Sequence, residues 1–88
     1  MTKNEKSKPD DSQLYDLIIQ TISDNIKVLA HDKVHEAKGL IGTSLWSTFD
    51  NGMRRYTGGV VYKLVDRRLL PLIYKGKTSS NKHTYWIA

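Results

Sequence analysis

Residues Arg54–Leu70 have the sequence RRYTGGVVYKLVDRRLL, which combines helical spacing of apolar residues with five of the chain's fourteen basic residues and one acid. At 100° per residue, one side of a helix built from this stretch is apolar. That side carries Val60, Val61, Leu64, Val65 and, near its edge, Leu69. The opposite side carries Gly59, Tyr62, Lys63, Asp66 and Arg67. We predict that the first side packs against a core and that the second presents cations to a partner.

We place this helix between Thr57 and Leu70. Thr57 is a suitable N-cap, and Pro71 cannot continue the helical hydrogen-bond ladder. Arg54 and Arg55 would then precede the first turn, where free N–H groups suit a phosphate. Arg68 falls on the apolar side, but near the C-terminus its guanidinium can reach water and meet the helix dipole favourably.

The composition limits what this chain can be. Its 88 residues suffice for one domain with a modest core and little room for an enclosed active site. Cysteine is absent, which excludes disulfides and thiolate metal sites.

Residues 1–11 are polar and predict a disordered tail without the apolar core of a signal peptide, so the domain spans 12–88. Apolar runs are far too short for a membrane span, and we expect a cytoplasmic protein, nucleoid-associated if prokaryotic.

Charge is distributed unevenly along the chain. The net charge is +5, but residues 1–50 carry six lysines against eight acids. Residues 51–88 carry eight basic residues against Asp66 alone. Such an asymmetry indicates a polyanionic partner for the C-terminal half, although a solvated basic face is the simpler alternative.

The N-terminal half predicts helices. From Ser12 to about Asn25 the apolar residues recur every three or four positions, as expected of an amphipathic helix. These residues are Leu14, Leu17, Ile18, Ile22 and, a turn beyond, Ile26. Residues 26–42 are harder to interpret, because 27–30 suit either a helical extension or a strand. The apolar residues after them again show helical spacing, which Gly39 and Gly42 interrupt. A short helix with Leu45, Trp46 and Phe49 follows, capped by Thr43 or Ser44 and ended by residues 50–52.

The C-terminus predicts a β-hairpin. Residues 72–74 and 84–87 are strand-forming and flank the polar segment 75–82. Basic and polar side chains occupy that tip, namely Lys75, Lys77, Ser79, Ser80, Asn81 and Lys82. A small domain needs large aromatic side chains inside, and we therefore assign four of them to the core: Trp46, Phe49, Tyr85 and Trp86.

The short helix, the helix TGGVVYKLVDRRLL and the hairpin LPLIYKG…NKHTYWI together resemble the winged helix-turn-helix superfamily of DNA-binding domains. The resemblance covers about residues 14–87 and implies an α+β, mainly helical fold of three helices followed by a β-hairpin wing. It also implies that the third helix enters the major groove while the wing touches the adjacent backbone or minor groove. One departure is the link from Phe49 to Thr57, which is longer than the usual turn of three or four residues.

The resemblance implies two groups of DNA-binding residues. On or beside the third helix these are Arg54, Arg55, Gly59, Tyr62, Lys63 and Arg67. On the wing they are Lys75, Lys77, Ser79, Ser80, Asn81 and Lys82. We expect a double-stranded-DNA-binding regulator or accessory factor. Because one such module buries only ~600–1,000 Å² on DNA, we also expect a homodimer.

Other readings have weaker support. His31 and His35 with their acidic neighbours suggest a metal site, but HDKVHE lacks the HExxH order and better fits a charged surface helix. Gly76-Lys77-Thr78 matches the end of a P-loop, but the remainder of that motif is missing. Gly39–Gly42 is weakly similar to the GxxG loop of KH RNA-binding domains. We predict no metal, no cofactor and no enzymatic activity. A protein-interaction module remains the main alternative, since fold does not fix function, and an RNA-binding protein is a lesser one.

Overall fold

The computed structural model describes residues 11–88. Its elements, in chain order, are α1 (Asp11–Asn25), β1 (His35–Glu36), α2 (Ala37–Ile41), α3 (Thr43–Trp46), α4 (Asn51–Asp66), β2 (Leu72–Lys77) and β3 (His83–Ile87). The predicted tail lies outside the described residues except for Asp11, with which α1 begins. None of the helices between residues 11 and 88 has the length and hydrophobicity that a membrane span requires.

Helix α1 confirms the periodic pattern with one exception. Leu14, Ile18 and Ile22 are buried, whereas Leu17 is 52% exposed. Asn25, the last residue of the helix, connects it to α2. Its Nδ2 donates to the carbonyl oxygens of Leu40 (2.9 Å) and Ile41 (3.0 Å). These bonds satisfy two of the carbonyl groups that a helix C-terminus leaves unpaired.

The surface helix predicted around His31 and His35 is wrong. Residues 26–34 form turns, and His35 begins β1. The Nε2 atoms of the two imidazoles lie 3.2 Å from the carbonyl oxygen of Ile26 and 2.7 Å from that of Ala30. The predicted helical stretch is confined to α2, which includes Gly39, and Gly42 (φ +98°) makes the sharp turn into α3.

The start of α4 is the main correction to the sequence analysis. The helix begins at Asn51, and the side chain of Asp50 caps it by accepting a 2.7 Å hydrogen bond from the Met53 amide. Thr57 is therefore not an N-cap but a fully buried residue in the middle of α4. Arg54 and Arg55 lie within the helix rather than before it. The connection from α3 is only residues 47–50, so the long link disappears.

Helix α4 also ends earlier than predicted, at Asp66. Arg68 adopts the left-handed conformation, with φ +61°. The Leu69 amide donates to the Leu64 carbonyl (2.8 Å) and the Arg68 amide to that of Val65 (3.0 Å). This is a Schellman motif, whose left-handed position is usually glycine. Arg68 is exposed after the helix end and does not lie on its apolar side.

The predicted hairpin is confirmed and forms part of a larger sheet. Strands β2 and β3 pair antiparallel, and β1, which the sequence analysis missed, pairs with β3 to give the order β1-β3-β2. Strand β2 begins as predicted but extends to Lys77, so that the tip is residues 78–82. The helices, followed by the β2–β3 hairpin of this sheet, make an α+β fold consistent with a winged helix.

The core confirms the predicted buried face of α4. Val60, Val61, Leu64 and Val65 pack in one cluster with apolar side chains of α1, α2 and the hairpin. Tyr85 is almost fully buried, whereas Trp46 and Phe49 pack against the margin of this cluster and Trp86 is half-buried. Leu69, placed at the edge of the apolar face, is 53% exposed because the helix ends before it.

We expect Asp50→Ala to lower the free energy of unfolding by about 1 kcal/mol, because the Met53 amide loses its only side-chain acceptor. Urea denaturation followed by circular dichroism measures this change. Asp66→Ala is the matched control at the other end of α4, where a carboxylate meets the negative end of the helix dipole. An equal loss of stability in both variants would contradict the capping role.

Arg68→Gly should raise the free energy of unfolding by about 0.5–1 kcal/mol, since glycine adopts the left-handed conformation without strain. The neighbouring Arg67→Gly is the control, because Arg67 has φ −86° and gains nothing from glycine. The same denaturation experiment compares the two. A stabilised Arg67→Gly variant, or a destabilised Arg68→Gly variant, would argue against this explanation.

Candidate nucleic-acid interface

A cleft of about 770 Å³ lies between the N-terminal half of α4 and the hairpin. Helix α4 forms one wall, the end of β2 with the hairpin tip and β3 forms the other, and the start of α2 closes one side. Its lining residues are Glu36, Ala37, Lys38, Trp46, Asn51, Arg54, Arg55, Gly58, Gly59, Lys77, Ser80, Asn81, Lys82, His83 and Tyr85. We call this surface the α4–hairpin cleft.

The α4–hairpin cleft is strongly basic. Its rim carries one acid, Glu36, and five basic residues, which are Lys38, Arg54, Arg55, Lys77 and Lys82. Within residues 11–88 an ion pair joins Lys27 to Asp24, outside the cleft. A concave surface lined by uncompensated cations concentrates positive potential and attracts polyanions.

Local structure fixes the position of two cleft residues. The half-buried Arg54 donates from Nε to the Trp46 carbonyl (3.3 Å) at the end of α3. Asn81 has φ +65° in the hairpin turn, where its backbone N–H donates to the Thr78 carbonyl (2.9 Å). Thr78 Oγ1 accepts from the amides of Ser80 and Lys82 and orders the rest of the tip. These hydrogen bonds hold the hairpin side of the cleft in a defined conformation.

The structure divides the predicted DNA-binding residues into two sets. Those in the α4–hairpin cleft are Arg54, Arg55, Gly59, Lys77, Ser80, Asn81 and Lys82. Those outside it are Tyr62, Lys63, Arg67, Lys75 and Ser79, all of which are exposed. Lys63 lies roughly 80° around the helix from Arg55, and Arg67 roughly 120°. The basic side chains of α4 thus form a cleft-facing group and a group on the outer flank.

Tyr62 does not protrude freely as the sequence analysis implied. It is 39% exposed, and its ring stacks on His83 with a centroid distance of 4.7 Å. It also meets the edge of Tyr74 at 5.1 Å. The sequence analysis gave no role to Tyr74 or His83. The side-chain contact between Tyr74 and His83 depends on a strand register with a one-residue bulge at Lys75, which the sequence does not reveal.

The surroundings of His83 favour its neutral form. Burial and, secondarily, the positive charge of Lys77 lower the pKa of His83 from its ordinary value. In the neutral tautomer protonated at Nε2, Nδ1 accepts a hydrogen bond from the Tyr74 hydroxyl at 2.8 Å. Stacked on Tyr62 and paired with Tyr74, the ring joins α4 to the hairpin at the end of the cleft.

Tyr85, one of the residues that line the cleft, carries a buried hydroxyl. Burial and the neighbouring Tyr74 and Tyr62 raise the pKa of Tyr85, which keeps its hydroxyl protonated. Within residues 11–88 that hydroxyl has no hydrogen-bond partner, and the other such hydroxyl is that of Thr57. Of the two, Tyr85 lines the α4–hairpin cleft and Thr57 does not.

A second, smaller depression of about 450 Å³ lies on the other side of Tyr62. It is lined by Tyr62, Val65, Asp66, Arg68, Leu72, Ile73 and Tyr74. Ile73 is 55% exposed, and five of the seven lining residues are aliphatic or aromatic, beside Asp66 and Arg68. Among the described residues no three histidine or acidic side chains are grouped in a way that would hold a metal ion.

Comparison with known proteins found no match. No protein-family model, no curated protein and no solved structure matches this chain. The interpretation of the cleft therefore depends on its own geometry and charge.

We expect the free energy of unfolding to fall as the pH is lowered from about 7 to about 5, in part because of His83. Its pKa is lower in the folded protein than the ordinary value near 6.5. In that window the unfolded chain binds more protons, so acidification favours unfolding. Urea denaturation at several pH values measures the effect.

His83→Phe, which keeps an aromatic ring against Tyr62, should remove this part of the pH dependence. Lys77→Gln should reduce it without abolishing it, because burial is the larger cause of the lowered pKa. If wild type and His83→Phe differ in stability by the same amount at every pH, the assignment to His83 is wrong.

Proposed function

We propose that this protein is a winged helix-turn-helix domain that binds double-stranded DNA and acts as a small transcriptional regulator or accessory factor. The observation that carries the proposal is the α4–hairpin cleft, which places five basic side chains against one acid. A duplex presents closely spaced phosphates, and neutralising them supplies most of the non-specific affinity. The four-residue connection between α3 and α4 also fits the turn of a helix-turn-helix.

In the proposed complex, the two basic groups of α4 have different tasks. The outer flank enters the major groove, where Lys63 and Arg67 reach base edges or nearby phosphates. The cleft-facing Arg54 and Arg55, with Lys77 and Lys82 of the hairpin, neutralise phosphates. Lys75 and Ser79 lie exposed on the wing, where they meet the adjacent backbone.

A protein-docking role is the alternative, and the smaller depression beside Tyr62 favours it. The exposed Ile73 lines it, and winged helices can serve as docking surfaces. Binding of a partner that docks there would depend on salt much less than DNA binding does, because apolar contacts are not screened. An RNA-binding protein would instead prefer RNA to duplex DNA of the same length.

The proposal is tested by fluorescence anisotropy with a mixed-sequence duplex of about 30 base pairs. If about five phosphates are contacted, a fourfold rise in salt should weaken binding a few hundredfold. Lys63→Glu with Arg67→Glu should weaken binding at least tenfold, as should Arg55→Glu with Lys77→Glu.

Lys27→Glu with Lys33→Glu is the matched control, because it makes the same change in net charge on exposed residues between α1 and β1. Equal losses in the control and test variants would indicate attraction by net charge alone. No binding by the wild type at low salt, or tighter binding to RNA, would overturn the proposal.

A further inference from the structure

His83 lies where α4, the hairpin and the α4–hairpin cleft meet, and it is not among the predicted DNA-binding residues. Its imidazole stacks on Tyr62 of α4 with 4.7 Å between the ring centroids, and its Nδ1 accepts the 2.8 Å hydrogen bond from the Tyr74 hydroxyl. His83 lines the cleft but not the smaller depression, whereas Tyr74 lines the depression but not the cleft. The Nδ1 edge of the ring therefore points towards Tyr74, and the rest of the ring borders the cleft.

The second ring nitrogen of His83 is open to a ligand. Within residues 11–88, the buried side-chain atoms that lack a hydrogen-bond partner are Thr57 Oγ1 and the Tyr85 hydroxyl oxygen. His83 Nε2 is not one of them, although the hydrogen bond of the ring is made at Nδ1. Nε2 is therefore in contact with solvent. In the tautomer that Tyr74 favours, this nitrogen carries a hydrogen and can donate to an anion.

The charges around His83 oppose its protonation in the free protein. The charged residues that line the cleft with it are Glu36 of β1, Lys38 of α2, Arg54 and Arg55 of α4, and Lys77 and Lys82 of the hairpin. Lys77 is its partner across the β2–β3 pair, and its positive charge adds to burial in lowering the pKa of His83. The phenols of Tyr62 and Tyr74 contact the ring itself. A phosphate bound beside Lys77 would offset the repulsion and favour the charged imidazolium.

We propose that His83 is a phosphate ligand whose binding to duplex DNA is coupled to the uptake of one proton. The proton comes from solvent and adds to Nδ1, while Nε2–H donates to a phosphate oxygen in the cleft. The Tyr74 hydroxyl then turns and accepts from Nδ1–H. The imidazolium stays stacked on Tyr62, where the aromatic face stabilises a cation. This assignment rests on the proposed DNA-binding function and adds to it a contact and a dependence on pH.

The proton uptake is measured by NMR titration of the His83 ring protons in the free chain and in its complex with the mixed-sequence duplex. The variant His31→Gln with His35→Gln simplifies the spectrum, because His83 is then the only histidine in the chain. The titration midpoint of His83 should move to higher pH when the duplex is bound. A midpoint that stays the same or moves lower in the complex would overturn the proposal.

Fluorescence anisotropy between about pH 8 and about pH 5.5, the range across which a histidine ordinarily titrates, gives an independent measure. Wild-type affinity should rise as the pH falls, by up to about tenfold for each pH unit between the two midpoints. The salt dependence should be steeper at the acidic end by about 0.9 in slope, since one more phosphate is neutralised. Both trends should be absent from His83→Phe, which keeps an aromatic ring against Tyr62.

The variant His31→Gln with His35→Gln is also the matched control, because it removes two titrating imidazoles that lie outside the cleft. It should keep the pH dependence of the wild type. Circular dichroism at each pH establishes that the proteins compared are folded, and the NMR titration decides the proposal if His83→Phe is not. If wild-type affinity falls on acidification, or its rise persists in His83→Phe, the assignment to His83 is wrong and DNA binding stands. A wild type that binds no duplex at any pH refutes the function itself.

Discussion

The burial of one face of α4 is the interaction on which the rest of the structure depends. Val61 and Leu64 are fully buried in the centre of that face, among side chains from α1, α2 and the hairpin. Each such side chain contributes about 1.5–3 kcal/mol relative to an exposed one. Because a helix cannot rotate without exposing this face, its rotation also determines which residues line the cleft and which lie on the outer flank.

Arg54 and Arg55 are not placed to stabilise α4 through its dipole, unlike Lys63, which lies in the last turn. Arg54 and Arg55 lie near the helix N-terminus, where the backbone dipole is positive and the first turn contains no acid. Asp66 is the last residue, near the negative end. Both arrangements oppose the dipole. The helix dipole therefore does not account for two arginines at this position.

Much of the fold could be predicted from the sequence because it depends on local periodicity. Helix α1, the buried face of α4 and the hairpin all follow from the spacing of apolar residues. The start of α4 was missed because Asn51-Gly52 resembles a turn and Thr57 resembles a cap, whereas Asp50 alone supplies the acceptor that the first turn uses. Strand β1 has two residues and no periodicity to detect.

The site was less predictable because it depends on contacts between distant segments. Clustered charge identified the basic residues, but the sequence could not show that Lys77 and Arg55 line the same cleft while Lys63 lies outside it. The same limit explains Tyr62, whose exposed helical phase was predicted correctly although its stacking on His83 was not. Sequence patterns assign residues to faces of single elements, and only tertiary packing assigns those faces to each other.

Strand β2 lies at an edge of the sheet, and its irregular middle affects how two copies of the chain can meet. The pairing with β3 skips Lys75, Gly76 has φ +141°, and Thr84 Oγ1 donates to the Gly76 carbonyl at 2.9 Å. An interrupted edge with outward lysines is a poor template for another strand. Self-association by adding a strand to β2, whether into a pair or a fibril, is therefore disfavoured.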